Sequence, residues 1–82
     1  PYMNFATVLI ELQQFEPALE ILLKAREVQP LNDFVHLKVG LTLYQLGRKE
    51  EAMAAVEESI RLNPNSPAAK QVYERLKAEL KK

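Results

Sequence analysis

At 82 residues the chain is a single small domain, and its 48% hydrophobic content is too high for a segment disordered by composition. Eleven basic residues balance eleven acidic ones, which removes the basic excess that nucleic-acid binders carry. The absence of cysteine excludes disulfides and thiolate metal sites, and no apolar run approaches the ~20 residues needed to span a bilayer.

The chain opens on Pro1-Tyr2-Met3 already inside a helical pattern. No basic stretch leads there into an apolar core, so no signal peptide is read. The expectation is an excised fragment lacking the front of its first helix; the compartment stays open, with the cytoplasm the expected one. Apolar residues at three- and four-residue spacing, interrupted by proline and glycine, predict five helices near 1–13, 17–28, 33–46, 49–62 and 67–81. The breaks are Pro17, Pro30, Gly47 and Asn63-Pro64-Asn65-Ser66-Pro67. Proline suits a first helical turn, and glycine suits the left-handed position past a helix end. Asn32 and Ser66 are expected N-caps.

Helix 33–46 carries two apolar stripes. Val35, Val39, Leu43 and Leu46 form one, and Phe34, Leu37, Leu41 and Tyr44 form the other, which predicts burial on both sides. Helix 67–81 is one-sided, with Ala69, Val72, Tyr73, Leu76 and Leu80 opposite Lys70, Glu74, Arg75, Lys77 and Lys81. Its basic end, with Lys82, favours its own dipole and is read as stabilisation, not as a binding patch. Glu20–Lys24, Glu57–Arg61 and Lys70–Glu74 stand at i,i+4 spacing and are expected to pair.

A shift of 34 residues superimposes Leu9 on Leu43, Leu12 on Leu46, Glu16 on Glu50, Ala18 on Ala52 and Pro30 on Pro64. Ala6 meets Gly40 and Ala25 meets Ser59, small residues recurring where helices cross closely. A two-helix repeat of this period, with Gly40, Leu43, Gly47, Ala52, Ser59 and Pro64 in the second copy and the closing run Arg61-Leu62-Asn63-Pro64-Asn65, resembles the tetratricopeptide family. The first copy supplies Ala6, Leu9, Gln13, Ala18, Ala25 and Pro30. It departs at Gln13, where the family has a turn glycine. Tyr2 and His36 stand for the first-helix aromatic, and Leu22 and Val56 replace the second-helix one.

The resemblance implies an all-α fold, antiparallel helix hairpins stacked into a short right-handed solenoid. Repeat 1 would span 1–32, repeat 2 would span 33–66, and 67–82 would be a capping helix. It also implies that the first helix of each repeat lines a concave groove that holds a protein. By register the groove residues would be Met3, Thr7, Ile10, Phe34, Leu37, Lys38, Leu41, Tyr44, Gln45 and Arg75, with Gln71 on the last helix. The lysine and asparagine clamp of family members that grip acidic chaperone tails is missing. Met3, Thr7, Lys38 and Val72 stand at its positions, and only Lys38 is a cation.

The expected function is therefore a module that binds an apolar peptide segment or partner helix. The alternatives are a unit that dimerises through that groove, and a recruiting segment of a larger protein. No catalytic machinery is visible. His36 stands alone and is read as packing, Glu50-Glu51 and Glu57-Glu58 as solvated faces, and Ser59 as a small packing residue. The only glycines, Gly40 and Gly47, make no phosphate loop. No metal, no cofactor, no nucleic acid and no membrane insertion are expected.

Overall fold

The computed structural model describes residues 2–81, with side chains from Asn4 onward. Pro1, Lys82 and the side chains of Tyr2 and Met3 lie outside that description, and with them the proposed groove role of Met3. Five helices follow in order: α1 (Tyr2–Glu11), α2 (Phe15–Val28), α3 (Asp33–Gln45), α4 (Lys49–Leu62) and α5 (Pro67–Leu80). There is no strand among the described residues, and each helix packs on its neighbour in sequence, α3 on α4 most extensively. This is an all-α helical solenoid.

The helix boundaries follow from how free backbone groups are satisfied. Asn32 caps α3, its Oδ1 accepting from the amides of Phe34 and Val35 at 3.0 and 3.4 Å. Ser66 caps α5, its Oγ accepting from the amide of Ala69 at 3.3 Å, and Pro67 takes the first turn. α2 starts at Phe15, two residues before the expected Pro17. Proline at the third helical position costs no hydrogen bond, because the first turn has no intrahelical acceptor for its amide.

The two tight turns are copies of one another. Gln13 donates to the Ile10 carbonyl and Gln14 to the Leu9 carbonyl; one period later Gly47 donates to Tyr44 and Arg48 to Leu43. Both are crossed bonds that close a helix through one left-handed residue. Gly47 takes it at φ 79° without strain, whereas Gln13 is forced to φ 61°. The departure from glycine read in the sequence thus leaves the turn geometry unchanged and places a side chain in a disfavoured backbone region.

The core runs along the inner faces of the helices, with Leu22, Val35, Val39, Val56 and Leu76 fully buried. Its tightest point is the crossing of α3 and α4. A Cβ added at Gly40 would lie 2.6 Å from Val56 Cγ2 and 3.2 Å from the Ala52 carbonyl oxygen. Ser59, fully buried, donates its hydroxyl to the Asp33 carbonyl at 2.9 Å, and the Asn63 amide reaches the Asp33 carboxylate at 3.2 Å. These bonds tie the end of α4 to the start of α3. The small residue that the sequence assigned to packing is therefore also a hydrogen-bond anchor.

Two sequence expectations are corrected here. Arg61 pairs with Glu58 through two hydrogen bonds, not with Glu57, and the other ion pairs among the described residues are Arg48–Glu51 and Lys49–Glu79. The i,i+3 partners suit the planar guanidinium, whose two nitrogens can both meet one carboxylate. Also, the second stripe of α3 is covered only in part: Leu37 is buried and Leu41 and Tyr44 are half-buried, but Phe34 is 51% exposed.

These features make two stability predictions. Gln13→Gly should raise stability by about 0.5–1 kcal/mol, because relief of left-handed strain exceeds the added freedom of the unfolded chain. Gly40→Ala should lower it by about 1–3 kcal/mol by overpacking the α3–α4 crossing. Urea denaturation measures both, and a Gln13→Gly chain no more stable than the parent would contradict the strain at that turn.

Candidate functional site

Where two successive first-type helices face each other without packing directly, a cleft remains. α3 and α5 border such a cleft, of about 220 Å3, lined by Leu41, Tyr44 and Gln45 from α3 and by Gln71, Val72, Arg75 and Leu76 from α5. The floor is apolar: Leu41, Tyr44 and Val72 are half-buried and Leu76 is fully buried. Gln45, Gln71 and Arg75 are exposed and supply hydrogen-bonding groups at the rim.

One carboxylate straps the cleft. The Tyr44 hydroxyl donates to Glu79 Oε2 at 2.6 Å, and Lys49 Nζ lies 3.0 Å from Glu79 Oε1. A side chain of α5 thereby holds one from α3 and one from α4. The hydrogen bond to Glu79 raises the pKa of the Tyr44 phenol, with burial and the carboxylate charge adding to it. The same bond, then that from Lys49, lowers the pKa of Glu79. Since α3 and α5 share no extensive backbone packing, this strap and the α4–α5 interface set their separation.

The residues expected in the groove divide into three sets. Leu41, Tyr44, Gln45 and Arg75 come together around the cleft. Phe34 and Lys38 lie outside it but share one stripe of α3 with Leu41 and Gln45, at steps of three and four. There Lys38 Nζ sits 5.3 Å from the centroid of the Phe34 ring, so cation and aromatic face cover each other. Leu37 is buried with the core, which leaves it no surface for a ligand. Thr7 and Ile10 are half-buried on α1, Ile10 against the core, and neither lines the cleft.

Sequence reasoning missed Glu79. It read as one acid among the cations of the last helix, and its only signal was its place one period after Gln45, on the groove side of the register. His36 is buried, and its Nε2 lies 2.7 Å from the Pro30 carbonyl oxygen, so the ring donates to the main chain. Among the described residues no group of three or more side chains is placed to hold a metal. No described helix is long and apolar enough to cross a membrane.

Comparisons with known proteins give this geometry a class. Residues 34–66 match the family model described as tetratricopeptide repeat. Among solved structures, the chain superimposes on the TPR domain of Arabidopsis OM64 with a TM-score of 0.90 at 29% identity. That match covers 95% of this chain and 64% of the other, so the chain spans less than two thirds of that structure's length. No curated protein sequence matches the chain. Residues 34–66 thus form a tetratricopeptide repeat, and the chain as a whole folds like a tetratricopeptide repeat domain. Members of that family generally serve as non-enzymatic protein–protein interaction modules, and that general role is the one its fold implies.

The strap has a measurable pH signature. Glu79 holds its proton less tightly folded than unfolded, so its stabilisation is present above the ordinary carboxylate range and is lost as pH falls through its lowered pKa. Glu51 and Glu58 behave alike beside Arg48 and Arg61. Glu79→Gln should therefore lower the melting temperature at neutral pH and flatten, without abolishing, the loss of stability on acidification. Tyr44→Phe combined with Glu79→Gln should cost less than the sum of the two single changes. Additive losses in thermal melts would show that the bond contributes nothing.

Proposed function

We propose that the chain holds a partner polypeptide by seating an apolar side chain of a peptide segment or partner helix in the cleft between α3 and α5. The observation that carries this reading is the pairing of an apolar floor, Leu41, Val72 and Leu76, with a rim of uncommitted polar groups. A volume of about 220 Å3 lies below the range of whole small-molecule sites and suits one large side chain. The Arg75 guanidinium and the Gln45 and Gln71 amides would bond the backbone flanking that anchor, and the Phe34–Lys38 pair would extend the contact along α3. Catalysis forms no part of the proposal.

The peptide reading is favoured over a dimer through the same groove. The apolar surface there is short, because Leu37 is buried and Phe34 is covered on one face by Lys38. Two copies meeting groove to groove would also bring Arg75 and Lys38 of each into one interface, a like-charge contact.

Peptides selected on the chain by display should share a large apolar anchor residue. Leu41→Glu should weaken their binding at least ~10-fold while the helical circular dichroism stays unchanged. Equal binding by the variant would move the site elsewhere, and collapse of helicity would make Leu41 a core residue.

A further inference from the structure

The charges around the cleft do not balance. Glu79 is the acid that straps it, and both of its oxygens are taken: Oε2 accepts from the Tyr44 hydroxyl at 2.6 Å, and Oε1 lies 3.0 Å from Lys49 Nζ. Arg75 stands one turn before Glu79 on α5 and, after Tyr44 and Lys49, helps to lower its pKa. Yet Arg75 forms no hydrogen bond or ion pair among the described residues. The strap occupies the carboxylate and leaves the guanidinium over. The next cation, Lys38 on α3, rests on the Phe34 ring with Nζ 5.3 Å from the centroid, and it too has no carboxylate. Glu11 holds the register position of Glu79 on α1, two shifts away, and does not line the cleft.

The repeat register places these cations relative to the apolar floor. A shift of 34 residues carries Lys38 onto Val72 and Leu41 onto Arg75. Each of these two levels therefore offers one cation and one apolar side chain, and the order reverses from one level to the next. Three residues of helix separate the levels, about 4.5 Å. Leu41 and Val72 form one diagonal, above fully buried Leu76, and Lys38 and Arg75 form the other. An occupant that matches both diagonals is apolar at one residue and anionic close by.

We infer that the cleft takes a polypeptide segment in which an aspartate or glutamate stands one or two residues from the apolar anchor and is bound by Arg75, with Lys38 on its other side. The inference rests on the anchored-peptide reading above and names the chemistry of that partner. At about 3.3 Å per residue, an extended segment covers the distance between the levels in one to two residues. A carboxylate suits Arg75 because the guanidinium fork can meet both of its oxygens. The acid is a side chain within the segment, not a chain end. Arg75 lies three residues beyond Val72, the last of the clamp positions at which family members grip acidic tails. A lone carboxylate or phosphate would leave Leu41 and Val72 bare.

Peptides displayed in an internal loop of a carrier protein, with no free end, provide the test when selected on the 82-residue chain. The selected sequences, synthesised with blocked and with free ends, should carry Asp or Glu one or two residues from the anchor. Fluorescence anisotropy should show that changing this acid to its amide weakens binding about 3- to 10-fold at low salt and much less at high salt. Arg75→Gln should cost the acidic peptide the same factor and the amide peptide nothing. Arg75→Glu should turn the selected flank from acidic to basic, and since Arg75 is exposed, helicity stays that of the parent in both variants. Selected peptides without an acid that still lose binding with Leu41→Glu would overturn this inference and leave the anchor reading standing. An acidic preference unmoved by Arg75→Glu would overturn it equally, as would binding by the free-ended peptides alone. Peptides indifferent to Leu41→Glu would overturn the anchor reading itself, and this inference with it.

Discussion

The close crossing of α3 and α4 is the constraint on which the rest depends. Gly40 lets Val56 and the Ala52 carbonyl come nearer than any side chain at that position would permit. Burying Val56 completely in turn requires the helices to sit at that distance, with Ser59 reaching the Asp33 carbonyl to hold the far end of the hairpin. Once the hairpin is set, the faces α3 offers to its other neighbours are set too. One is closed by α2, and the concave one is left open toward α5. The cleft is thus a consequence of where the backbones are allowed to approach and where they are not.

Because each hairpin leaves an apolar face, the array is held by repetition of one contact rather than by a central core. That explains why the turns are duplicated down to individual hydrogen bonds. A hairpin can present its faces at the right angle only if α1 and α3 end in the same left-handed residue and the same crossed pair of bonds. Gln13 at φ 61° shows the strength of this demand, since packing on both sides holds a non-glycine residue in a region it disfavours alone. The strap from Glu79 to Tyr44 and Lys49 plays the complementary part across the cleft, where there is no helix packing to do so.

The cleft and the exposed face of α1 share an origin in this arrangement. A helix that is apolar on more than one side must be covered more than once, and α1, α3 and α5 differ only in what covers them. α3 has a neighbour on two sides and keeps a half-open groove toward α5. α1 packs most extensively on α2, and its Phe5, Val8 and Leu12 stay in solvent.

The amino-acid sequence by itself determined the helices, their caps at Asn32 and Ser66, the repeat period and the small residues at the crossing, because each rests on local backbone chemistry or on periodicity along one helix. Four of the proposed groove residues, Leu41, Tyr44, Gln45 and Arg75, were legible for the same reason, since register along a regular helix predicts its faces. Only the tertiary structure decided that Leu37 turns into the core while Phe34 stays out, because about 60° around the helix axis separates the two and the neighbouring helices set the dividing line between them. It alone placed Glu79 against Tyr44 and Lys49, a contact between three helices whose distance no spacing within one helix encodes. It alone exposed the stripe on α1, since burial is a property of the neighbour as much as of the residue.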